Sequence, residues 1–195
     1  MSELLFWQLL NILCYYCFME FEEKTLSSEY VYKGRVIDVR RDEILVPNGH
    51  KSDREVVEHS GGVVIVAVKD GKLMLVKQYR YPLKNISVEL PAGKLEKGED
   101  PDLAAKRELE EETGYIANDW LSLGYIFTTP GFCDEKLHLY LARDLHYKKM
   151  NPDEDEIIEC YEYPIQDVYS MINNNIINDS KTICALFRAR NYIDD

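Results

Sequence analysis

Positive charge is in short supply in this sequence. Its 195 residues carry 23 Lys and Arg against 35 Asp and Glu, a formal net charge of −12. Non-specific binding to DNA or RNA is mostly phosphate neutralisation by Lys and Arg, so a surface of this sign excludes nucleic acid as a partner. A phosphate-bearing substrate must then be small, held locally and assisted by a metal cation. Paired cysteines are missing too. Cys14, Cys17, Cys133, Cys160 and Cys184 are an odd number with no disulfide-dense spacing, which points to a reducing compartment, the cytoplasm. Cys14 and Cys17 form a C-x-x-C, but no second pair follows, so a zinc or redox site lacks its other half. His50, His59, His138 and His146 show no metal-ligand spacing and read as packing or surface residues. There are no repeats, no low-complexity tract and no Pro/Ser linker. With 46% hydrophobic and 30% charged residues, the composition excludes a disordered or fibrous chain and fits one mixed domain.

Long apolar runs are confined to the start. Leu4 to Phe21 is rich in Leu, Ile, Phe and Trp, with no Lys or Arg before Lys24. It lacks the basic region and the small-residue cleavage site of a signal peptide. Gln8, Asn11 and Glu20 leave it short of the roughly 20 apolar residues of a membrane span, so no membrane association is expected. Two readings stand: residues 1–18 precede a true start at Met19, or they form a loosely packed helix.

Short strands follow. Tyr30 to Val39 and Asp42 to Val46 are rich in β-branched residues and end at Pro47, Asn48 and Gly49. Arg54 to His59 alternates weakly. Val63 to Val68 is continuously apolar, the mark of a strand buried on both faces. Asp70-Gly71 before Leu73 to Arg80 signals a hairpin. Ser87 to Leu90 is a short strand stopped by Pro91-Ala92-Gly93. Asp100 and Pro101 open a helix that runs to Thr113, with Gly114 closing it. Leu121–Phe127, Lys136–Leu141 and Ile157–Tyr163 read as strands, and Asp167–Ile177 and Ser180–Arg190 as helices. Arg188 and Arg190 offset the dipole of the last helix.

The chemistry concentrates around the first helix. Seven acids between Glu99 and Glu112 face only Lys106 and Arg107. Glu108, Glu111 and Glu112 share one helix face, where like charges cost about 0.2–0.5 kcal/mol per pair. A divalent cation would reverse the sign of that cost, and Arg107 can hold Glu111. A solvated acidic face is the plain alternative, but the wider spacing argues against it. Gly93, Glu99, Arg107, Glu108, Leu109, Glu111, Glu112 and Gly114 fit G-x5-E-x7-R-E-U-x-E-E-x-G, a match of chance frequency on the order of 10⁻⁸ per start position. The stretch resembles the signature box of the Nudix hydrolases. Tyr115 stands where that family has an aliphatic residue, a slot that packs the helix end.

The resemblance implies an α/β fold, a Nudix-type α/β/α sandwich with a mixed sheet and an N-terminal antiparallel strand extension. Residues 19–60 would form the extension and 61–195 the hydrolase domain. It also implies hydrolysis of a nucleoside diphosphate linked to another moiety, with Mg²⁺ or Mn²⁺ held by Glu108, Glu112 and the Ala92 carbonyl, assisted by Glu111. Pro130 lies 16 residues past Gly114, and Leu90-Pro91-Ala92-Gly93, Gln78-Tyr79-Arg80 and Arg54-Glu55 are also similar to the ADP-ribose pyrophosphatase subfamily. On that resemblance Arg54 and Arg80 contact the diphosphate or terminal ribose, Glu89 positions a ribose or adenine edge, and Gly131 and Glu135 line the cleft. Tyr30 or Tyr32 would stack on adenine. Glu154 or Glu156, in the acidic run before Ile157, would activate water, and Met150 to Glu159 would act as a lid. The expected protein is a homodimer with exchanged N-terminal strands. Another nucleotide-sugar or dinucleotide substrate, or a non-catalytic nucleotide sensor, are the alternatives.

Overall fold

The structure, a computed structural model, describes residues 21–149 and 157–193. The apolar segment 1–18 with Cys14 and Cys17, and the candidate bases Glu154 and Glu156, lie outside the described residues. The chain divides after Val57 into two compact units.

β1 (Lys24–Lys33), β2 (Ile37–Leu45) and β3 (Lys51–His59), whose last two residues fall in the second unit, form a sheet in the order β1-β2-β3, with β1 and β2 antiparallel. Pairing of β1 with β2 runs from Lys24 opposite Leu45 to Lys33 opposite Asp38. One strand from Tyr30 to Val39 does not form, because the chain turns at Gly34. Its amide donates to the Ile37 carbonyl at 3.0 Å and to Asp38 Oδ1 at 3.1 Å. A β-carbon there would lie 2.9 Å from the Ile37 carbonyl oxygen, closer than real contacts allow, so a larger residue would have to shift the turn. Gly49, at φ 85°, closes the next one.

The second unit is built on β4 (Gly62–Lys69). Successive side chains of a strand point to opposite faces. Val64 and Val66 pack with Leu186 and Ala189 on one side, while Val63, Ile65 and Ala67 pack with Ala104, Ala105 and Leu109 on the other. That two-sided burial is why β4 shows no polar alternation. It makes a three-layer α/β/α sandwich, with α1 (Pro101–Thr113) on one face and α2 (Ile165–Asn173) and α3 (Ser180–Ile193) on the other. β4 runs parallel to β9 (Lys136–Tyr147), which pairs antiparallel with β8 (Tyr115–Phe127). Both strands extend beyond the apolar runs that mark them in the sequence. α2 begins two residues before Asp167 and ends at Asn173, since Asn174 and Asn175 turn out of the helix.

The sheet forks, and the fork positions the site. Asp70 (φ 49°) and Gly71 (φ 71°) join β4 to β5 (Lys72–Arg80) in a tight hairpin. Only Val68–Leu73 and Lys69–Lys72 pair in it. Beyond them β5 pairs with β6 (Asn85–Glu89), whereas β4 pairs with β7 (Ala92–Lys94); the other edge of β5 pairs from Lys72 to Gln78 with β10 (Ile158–Pro164). Leu90 and Pro91 cross between the two branches, and the Pro91 carbonyl accepts from the Ile65 amide at 2.8 Å. Ala92 and Gly93 are thereby laid beneath α1.

Candidate active site

Helix α1 is fixed at both ends by the residues that mark it in the sequence. Asp100 accepts from the Asp102 amide at 2.8 Å, Pro101 needs no donor, and Gly114 leaves the helix at φ 75°. Ala104, Ala105 and Leu109 are buried against β4, so the opposite turn presents its acids toward β7. Glu108 and Glu112 are themselves buried, at 9% and 3% exposure.

The backbone of β7 comes so close that its glycine is obligatory. A β-carbon on Gly93 would lie 1.8 Å from the carboxyl carbon of Glu108. The Glu112 Oε2 accepts from the Ala92 amide at 2.9 Å. Arg107 ties the remaining acids together: Nε and Nη2 donate to Glu99 at 3.0 and 3.1 Å, and Nη1 donates to Glu108 and Glu111, each at 2.8 Å. The hydrogen bonds to Glu99 push the Arg107 pKa up and hold the Glu99 carboxyl below its ordinary range. Among the described residues no three His, Cys, Asp or Glu side chains stand at mutual metal-ligand spacing. The acids are therefore not intolerable neighbours without a cation, because Arg107 and the Ala92 amide already offset their crowding. The donors still suit a hard divalent ion: they are oxygens alone, two from buried carboxylates beside a backbone held free of side chain at Gly93.

Arg80 and Glu89 form a second cluster. Glu89, at 2% exposure, accepts from Arg80 Nε at 2.8 Å and Nη2 at 2.6 Å, and from Lys181. Burial by itself would raise the Glu89 carboxyl, but Arg80 and Lys181 overcome it and hold it down to about 2. Arg80 also feels the charge of Glu112, which brings the two clusters within electrostatic reach. Glu89 thus spends its oxygens on two cations. Lys181, Asp179 and Thr182 carry no motif that marks them in the sequence. Asp179 does sit where an N-cap is expected, and it accepts from the Thr182 amide at 3.0 Å.

The other candidates are more dispersed. Glu135 stands 3.5 Å from His59 Nδ1, and Asp134 accepts from the His59 amide at 2.8 Å, which ties the loop after Pro130 to the end of β3. Gly131, in that loop, is exposed with open space around it. Arg54, in the first unit, is held by Glu23 and by the Asp53 carbonyl. Tyr30 and Tyr32 are exposed, and Lys33 Nζ lies 4.1 Å from the Tyr30 ring centre. No helix among the described residues is long and apolar enough to cross a membrane.

Comparison with known proteins agrees with this architecture. Residues 58–186 match the NUDIX domain, and residues 23–57 match the nucleoside diphosphate sugar hydrolase N-terminal domain. The ADP-ribose pyrophosphatase of Bacillus subtilis (strain 168) is 45% identical over 168 residues, 85% of this chain and 91% of that protein. The methanol dehydrogenase activator of Bacillus methanolicus is 46% identical over 170 residues, again 85% and 91%. A crystal structure of an ADP compounds hydrolase matches with a TM-score of 0.79 at 25% identity, covering 89% of this chain and 95% of that one. The chain belongs to the Nudix hydrolase family.

Proposed function

We propose that the protein hydrolyses ADP-ribose to AMP and ribose 5-phosphate in the presence of Mg²⁺, with Mn²⁺ able to replace it. The observation that carries the reading is the placing of the Glu108 carboxylate over Gly93, beside Glu112 on the Ala92 amide. Glu108, Glu112 and the Ala92 carbonyl would hold the cation, with Glu111 assisting. A divalent ion bound there offsets charge building on the diphosphate and favours deprotonation of water. Arg80 holds the diphosphate, for which a guanidinium fork is well matched. Gly131 and Glu135 would contact the substrate from the loop after Pro130, and Arg54 would be a further contact to its diphosphate or terminal ribose. Water attacks one phosphorus, Glu154 or Glu156 takes its proton, and the P–O bond to the other phosphate breaks.

The functional unit in this proposal is a cytoplasmic homodimer whose N-terminal strands exchange. Leu26, Val31 and Tyr32 on β1 are exposed, and a small sheet with an uncovered apolar strand is marginal by itself. Sedimentation equilibrium should return twice the 22.8 kDa chain mass, and a monomer at micromolar concentration would refute the exchange.

A second reading keeps the reaction and widens the substrate, because the match over residues 23–57 is to a nucleoside diphosphate sugar hydrolase segment. A Mg²⁺-dependent screen with phosphatase-coupled phosphate release over ADP-ribose, GDP-mannose, NADH, diadenosine polyphosphates and 8-oxo-dGTP separates the two. ADP-ribose is expected to have the highest kcat/KM by at least about tenfold, a discrimination that polar contacts to one substrate half readily supply. Equal or better turnover of another substrate would overturn the assignment.

A further inference from the structure

We infer that Lys181, in the first turn of the C-terminal helix, is a positioning residue for this reaction, setting the Arg80 guanidinium at the cleft through their shared partner Glu89. The inference deepens the proposed function and rests on it for the substrate.

Three observations carry it. First, Arg80 presents Nε and Nη2 to the same carboxylate, which fixes the plane of the guanidinium. Its Nη1 has no hydrogen-bond partner among the described residues, and the side chain is 37% exposed. Two donors anchor the group and the third is left for an anion. Second, the charges balance only with Lys181 present. Lys181 pairs with Glu89 and, at 3.0 Å, with Asp179. Two cations then face two carboxylates along a cleft of about 350 Å³ lined by Arg80, Ser87, Glu89, Asp179 and Lys181. Without the ammonium the cluster carries a net negative charge, which repels a diphosphate and leaves Arg80 to serve both acids. Third, Lys181 cannot drift. The next residue, Thr182, is fully buried, accepts from the Leu90 amide at 2.9 Å and donates to Asp179 at 2.6 Å. The helix start is therefore pinned to the residue after Glu89, two residues ahead of Ala92. Exposed ion pairs contribute little, but the Lys181 side chain is only 15% exposed and that of Glu89 3%.

A mutant cycle on the full chain tests this. Lys181→Met should raise KM for ADP-ribose by about ten- to a hundredfold with kcat changed less than about threefold, the pattern of lost uniform binding. In the Arg80→Ala background the same change should add less than about threefold, because coupled residues are non-additive. Lys181→Arg should return KM to within about threefold of wild type. A Lys181→Met KM near that of wild type, or full multiplication of the two effects, would overturn the inference. If Lys181→Met does not fold, Lys181→Gln takes its place in the cycle. A readout independent of substrate is hydrogen exchange at the Arg80 Nε–H, followed by nitrogen-15 NMR. It should be slow in wild type and Lys181→Arg, and about tenfold faster or more in Lys181→Gln. Equal rates in all three overturn the positioning role. A wild-type enzyme inactive on ADP-ribose would instead refute the substrate, and the exchange rates would still decide the role of Lys181.

Discussion

A β-carbon on Gly93 would have to share space with the carboxyl group of Glu108, at 1.8 Å from its carboxyl carbon. The strand cannot retreat, because the Ala92 amide is bonded to Glu112 and Gly93 pairs with Val63. Gly93→Ala should therefore displace Glu108 and lower kcat by about 10²-fold, the scale of a misplacement of about 1 Å at a reacting centre. Steady-state turnover in saturating Mg²⁺ checks it, and activity within threefold of wild type would show that Glu108 has room to move. At Glu89 the electrostatics predict a pH response. Its folded pKa of about 2 lies below the usual 4.5. A depressed carboxylate contributes stability that is present above about pH 4.5 and lost as pH falls toward 2, here on the order of 3 kcal/mol. Urea unfolding at pH 5 and pH 3 should show about 2 kcal/mol of that loss, the remainder coming below pH 3, and Glu89→Gln should flatten this part of the profile.

Helix α1 carries the box acids on one side and anchors itself with the other. Leu109 is fully buried between Ala105 and the central strands. Leu109→Ala should cost about 2–5 kcal/mol by removing packed methyl groups and leaving a cavity. Chemical denaturation measures the loss, and a change under about 1 kcal/mol would mean that the helix is held by its caps rather than its face. This element was legible in the sequence from end to end, because Asp100, Pro101 and Gly114 act locally. β4 was legible too, since burial on both faces leaves a continuous apolar run. β7 was not: three residues starting at Ala92 carry no period, and only the fork between β4 and β5 makes them a strand. The break at Gly34 was hidden by β-branched residues on both sides, although a glycine there was its one local signal. Glu89 read as a substrate contact through the family resemblance, whereas its partner Lys181 lies 92 residues away. A long-range ion pair leaves no local pattern.

At the scale of the whole molecule, a chain of net charge −12 must handle an anionic diphosphate. On the proposed reading it does so by local arrangement: Arg80 would be presented from one cluster, and a set of oxygen donors suited to a divalent cation stands in the other. The rest of the surface can then stay acidic without weakening a small substrate. Two matched segments, residues 23–57 and 58–186, divide where the chain contacts divide. The central claim is that the buried acids of α1 serve hydrolysis by holding a cation. Glu112→Gln tests it most directly, because glutamine keeps an oxygen to accept from the Ala92 amide and removes only the charge. In saturating Mg²⁺, release of AMP from ADP-ribose should fall by about 10²–10⁴-fold with an unfolding midpoint close to that of wild type. Turnover within threefold of wild type would contradict the account.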